Sequence, residues 1–113
     1  MIAHIVLFRP KREVGVDGMR AFARTLQTVC RDVPSVKRAI AGRITDDKQF
    51  IGHTTYHYAA VIEFDDEDGL KLYLNSQYHK DLAVMFWRFC DSTVILDVTT
   101  VDVITGKIDE LLV

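Results

Sequence analysis

Two strand-like stretches, "IAHIVLF" at residues 2–8 and "HYAAVIEF" at residues 57–64, are largely apolar on both faces. Successive side chains of a strand point to opposite sides. In the first stretch Ile5 and Leu7 oppose His4, Val6 and Phe8; in the second Ala59 and Val61 oppose Tyr58, Ala60 and Ile62. An antiparallel sheet with one wet face alternates apolar and polar residues instead. A fold for this chain must therefore cover both faces of its sheet. Helices supply one cover. The economical second cover is another sheet, most simply that of a second copy in a C2 homodimer joined through the sheet face. Two four-stranded sheets face to face make an eight-stranded barrel with an interior filled by side chains.

The rest of the chain supplies the helices and the remaining strands. Asp17 is the expected N-cap of a helix over about 18–32, with Met19, Phe22, Leu26, Val29, Cys30 and Val33 on one face. Residues 37–45 form a weaker strand, with Gly42 as a possible bulge. The strand around residues 55–64 is followed by "DDED", an acidic run suited to the positive end of a helix. That helix breaks near "NSQ". A second helical stretch to about residue 90 carries Leu82, Met85, Phe86 and Phe89 on one face. Residues 93–103 read as the last strand, and "GKIDELLV" as one more short helical turn. The order β-α-β-β-α(α)-β is the split βαβ pattern of ferredoxin-like α+β folds: a four-stranded antiparallel sheet with helices on one face. The expected division is a domain over 1–103 and a C-terminal extension over 104–113.

Several function classes are set aside by composition and spacing. The 113 residues are 49% apolar and 27% charged, with a net charge of −2 and no basic stripe. That fits a soluble globular domain and argues against a nucleic-acid partner. No apolar run approaches the ~18 residues of a membrane span. In "MIAHIVLFRPKR" the charges follow a short apolar run, the reverse of an export signal, so the expected location is the cytoplasm. Cys30 and Cys90 read as two small core residues. His53 and His57 have an HxxxH spacing, but across a loop and a strand, with no further ligands to complete a metal set. No metal and no cofactor are expected. Phe86 and Phe89 read as core; Trp87 points elsewhere, toward the C-terminal tail or a partner. Asp97 interrupts the last strand and requires a hydrogen-bond donor.

The stretch "YLNSQYHK" at residues 73–80 concentrates the candidate chemistry. If Ser76 caps the second of the two helices, His79 lies in its first turn, where the positive end of the helix dipole disfavours imidazolium. A neutral imidazole suits a general base. Tyr73, on the last turn of the preceding helix, could steady a developing enolate oxygen. A plainer pair of roles also fits, with His79 donating to a backbone carbonyl and Tyr73 packed in the core. His4 shares its strand face with Val6 and Phe8, and would meet His79 and Tyr58 if that face turned to the helices.

"HIVLFR", "YHYAAVIEFDDEDGLKLYLNSQYHKDLA" and "VILDV" together resemble the stress-responsive A/B barrel family over about residues 2–99. The resemblance implies a ferredoxin-like fold and a homodimer joined through its sheets. In a plant polyketide cyclase of that family, a tyrosine and a histidine carry an aldol cyclisation in a pocket between sheet and helices. The matching positions are Tyr73 and His79, and His4 matches a further pocket histidine. Two other pocket positions differ: a strand histidine falls on Tyr58 and a helix tyrosine on Leu26. Together with Val6, these mark His4, Tyr58 and Leu26 as expected substrate-binding residues. The implied activity is cofactor-free binding or transformation of a small, largely apolar carbonyl compound. The alternatives are a non-catalytic stress or ligand-binding protein, and a cofactor-free monooxygenase or muconolactone-type isomerase on the same barrel.

Overall fold

The structure is a computed structural model describing residues 1–45 and 56–113. It has four strands, β1 (Ile2–Pro10), β2 (Arg38–Arg43), β3 (Tyr58–Phe64) and β4 (Cys90–Thr99), and four helices, α1 (Gly15–Asp32), α2 (Glu67–Asn75), α3 (Gln77–Phe89) and α4 (Ile108–Leu112). The strands form one antiparallel sheet in the order β2-β3-β1-β4. This is the ferredoxin-like arrangement expected from the element order. His53 lies outside the described residues.

Three details differ from expectation. The first helix starts two residues before Asp17, after a 3-10 turn over Arg12–Val14 and a Gly15 with φ of 70°. Gly15 tolerates that left-handed conformation without a Cβ clash, so Asp17 sits inside the first turn and caps nothing. Gly42 makes no bulge, since β2 pairs with β3 in unbroken register from Arg38 to Arg43. The last strand ends at Thr99, not at 103, because its partner β1 ends there: Ile2 lies opposite Thr99, and Thr100 N–H donates to the Met1 carbonyl. Val101 and Val103 look like strand residues but pair with no strand among the described residues. Asp102 instead closes a turn, its carboxylate accepting from the N–H groups of Ile104 and Thr105. The Gly106 N–H donates to the Asp102 carbonyl so closely that a Cβ on Gly106 would stand 2.4 Å from that oxygen.

The core lies between the helices and one face of the sheet. Ile2, Val29, Val33, Ile62, Phe64, Leu70, Tyr73 and Leu82 form one cluster, and Val6, Phe8, Phe22, Ala60 and Cys90 a second beside it. On β1 the residues facing this core are Ile2, His4, Val6 and Phe8, so the expected shared face does meet the helices. Phe22 and Phe86 stack edge-on at 4.7 Å and Phe8 meets Phe86 at 5.0 Å, which places Phe86 in the core as expected. Both cysteines are free; Cys90 is buried and Cys30 half-buried.

The other sheet face carries Ile5 and Leu7 of β1, Val61 of β3, Ile40 of β2 and Leu96 of β4, with Ile5 level with both Val61 and Leu96. Its middle is open, with Ile40 and Leu96 each 50% exposed, while Ala3 at one end of it is buried. The molecule is accordingly a two-layer slab, 46 × 40 × 17 Å. No helix of the described residues is long and apolar enough to cross a membrane.

Candidate functional site

A single serine builds the centre of the site. The Ser76 hydroxyl donates to the Tyr73 carbonyl at 2.7 Å and accepts from the His79 N–H at 3.1 Å. It thereby closes α2 and caps α3, satisfying one of the amides that a helix start leaves without a partner. Residues 73, 76 and 79 are tied together at this joint, and the two rings are brought into contact, with centroids 4.8 Å apart.

The sheet adds two more groups. His4 projects from β1 against both rings, its centroid 5.6 Å from Tyr73 and 6.4 Å from His79. Its Nδ1 donates to the Asp97 carboxylate at 2.6 Å, across the β1–β4 rung on which the two residues face each other. A carboxylate only accepts, so Nδ1 carries a proton. Asp97 thus receives the donor its position required. The sequence marks it as a polar interruption of a strand, and only the β1–β4 register reveals it as a partner of the site.

Burial sets the protonation of the central pair. His79 is half-buried, and its pKa is lowered, first by loss of solvent, then by the nearby His4; a backbone hydrogen bond to Leu74 acts the other way. The neutral ring expected from the sequence follows, with desolvation as its leading cause. Tyr73 is buried, which pushes its pKa well above the ordinary value, with a smaller contribution from Cys30. It therefore remains a hydroxyl, able to donate.

These rings open onto a cavity of about 640 Å³ between α3, α1 and the sheet. His4, Tyr73 and His79 line it together with Val6, Leu26 and Trp87. Trp87, 88% exposed, stands at its rim. Of the expected site residues, Tyr58 alone is not brought there. It stacks on Phe8 at 5.5 Å and lines a separate groove with Pro10, Gly15 and His57. The reason is register: Tyr58 pairs with Phe8, four residues along β1 from His4, or about 13 Å. No group of three or more metal-ligating side chains occurs among the described residues.

Comparison with known proteins agrees with this architecture. Residues 2–100 match the profile of the stress responsive A/B barrel domain. No curated protein matches the sequence. A solved structure from Arabidopsis thaliana is 16% identical, covers 91% of this chain and 98% of its own, and superposes with a TM-score of 0.79. A dimeric ferredoxin-like protein of unknown function from Thermobifida fusca is 22% identical, covering 88% and 90%, with a TM-score of 0.72. A hydroxynitrile lyase from Passiflora edulis is 17% identical, covering 86% and 90%, with a TM-score of 0.75.

Proposed function

The chain belongs to the stress-responsive A/B barrel family, and from that premise we propose that it binds a small, largely apolar carbonyl compound and moves a proton on it without a cofactor. The observation that carries this reading is the contact of Tyr73, His79 and His4 at the wall of an apolar cavity. His79, kept neutral, takes a proton from the carbon beside the carbonyl. The electron pair moves to the carbonyl oxygen, and the Tyr73 hydroxyl donates to the enolate that forms. The enolate carbon can then attack a second carbonyl of the same molecule, closing a ring in an aldol step, and the imidazolium returns its proton to the new alkoxide. Val6 and Leu26 hold the apolar body. Tyr58 has no part in this site.

A pair of sheets closes the open face. Ile5, Leu7, Val61 and Leu96 are covered when a second copy packs its sheet on the first in a C2 dimer, and a slab 17 Å thick becomes a four-layer α+β barrel. Relatives of the fold are described as dimeric, and one as a hydroxynitrile lyase, which supports self-association and proton-transfer chemistry on this scaffold.

The test is hydrogen–deuterium exchange at the carbons flanking the carbonyl of 2-nonanone and 2,4-nonanedione in heavy water, followed by NMR. The wild type is expected to accelerate exchange, and His79→Ala and Tyr73→Phe to lose most of that acceleration with a melting temperature nearly unchanged. Exchange equal in all three proteins would sink the catalytic reading and favour ligand binding without turnover.

A further inference from the structure

We propose that the ligand of this cavity is elongated and carries a carboxylate at the end opposite the histidines, where Lys11 receives it. This rests on the carbonyl reading above and narrows the substrate class to apolar oxo acids.

The cavity runs along β4. His4 marks one end; Ile95 lies opposite Val6, and Thr93 opposite Phe8. Those four residues of strand span about 13 Å. The walls between are apolar, with Val6, Leu26 and Phe86 among them. At the far end the lining changes character to Lys11, Asp91, Ser92 and Thr93.

Lys11 is the notable group there. It is half-buried, its backbone N–H is fixed to the Phe89 carbonyl at 2.7 Å, and among the described residues its ammonium has no hydrogen-bond or ion-pair partner. The nearby carboxylate, Asp91, is held by Arg9 at 2.8 Å and also feels the charge of Lys11, so two cations share one carboxylate. Two cations against one carboxylate leave a net positive charge at this end of the cavity. A bound carboxylate would supply the counter-charge, with the Ser92 and Thr93 hydroxyls beside it as neutral donors. Polar groups at two ends of an apolar channel fix both the direction and the length of what enters.

The protein carries its own probe, because its single tryptophan, Trp87, stands at the cavity rim. Tryptophan emission and titration calorimetry are followed with decanoate, 1-decanol and decyltrimethylammonium. Decanoate is expected to bind about five- to ten-fold more tightly than decanol, the range of a charge-assisted hydrogen bond partly open to solvent, and the cationic amphiphile most weakly. Lys11→Met should level decanoate with decanol while leaving decanol unchanged, and Lys11→Arg should keep the preference. His79→Ala should also keep it, which separates this inference from the proton-transfer reading. Equal binding of decanoate and decanol to the wild type, or no binding of either, would overturn the proposal, as would a Lys11→Met protein that retains the preference.

Discussion

Removing the carboxylate behind His4 isolates what Asp97 contributes. The His4 side chain is 4% exposed and that of Asp97 44%, and they meet at 2.6 Å. A hydrogen bond to a charged group contributes about 1.5–3 kcal/mol when well protected, and the exposure of Asp97 places this one at the low end. Asp97→Asn keeps a neutral acceptor; since charge-assisted bonds are roughly twice as strong as neutral ones, the expected loss is about 1 kcal/mol. Asp97→Ala leaves a buried N–H without its acceptor, costing about 2 kcal/mol. For a chain of this length that lowers the melting temperature by roughly 8 °C in the alanine variant and 4 °C in the asparagine variant. Long-range proton–nitrogen NMR of the imidazoles provides the specific readout. In the wild type His4 should be protonated at Nδ1; in Asp97→Ala the two tautomers should mix. A wild-type His4 protonated at Nε2 alone would refute the pairing, as would an alanine variant with unchanged His4 signals and unchanged melting.

Three further outcomes follow. The His79 pKa lies below its usual 6.5 in the folded protein, so the unfolded chain binds the proton first as pH falls. Stability should therefore decline below about pH 6.5 in denaturant titrations, with a shallower decline in His79→Gln, while the acid limb of the exchange rate falls at lower pH than for a free imidazole. Val61→Lys, which sets charges in the middle of the apolar sheet face, should convert the dimer to monomer in sedimentation velocity; a persisting dimer would place the contact elsewhere. Phe64, with no exposed surface, should cost about 3–5 kcal/mol when replaced by alanine, read from urea midpoints.

The element order and the core face of each helix were legible because they rest on local periodicity. The helix joint was legible too: Ser76 lies between two apolar-patterned runs, and its capping role and the placement of His79 follow from three-residue spacing. What lay beyond local reading were the features set by strand register. Tyr58 shares a strand parity with Ala60 and Ile62, which do line the cavity, yet its rung carries it past the cavity end. Asp97 gained its meaning only when β4 paired with β1 and set it against His4. The end of β4 differs from expectation for the same reason, since Val101 and Val103 favour a strand but no neighbour among the described residues pairs with them. Lys11 reads as one loop lysine among others until the turn before α1 brings it to the cavity wall.

The alternation along β1 has a consequence for how the chain tolerates change. Within seven residues, His4 and Val6 line the cavity, while Ile5 and Leu7 belong to the bare outer face. A saturation scan of "IAHIVLF" should therefore show two interleaved phenotypes with a period of two. Substitutions at His4 and Val6 would impair handling of the small molecule in an intact assembly, and those at Ile5 and Leu7 would break the assembly and dilute out activity. Because a slip of one residue exchanges the two sets, an insertion within this strand should abolish both at once. Selection on either trait thus holds the other in place.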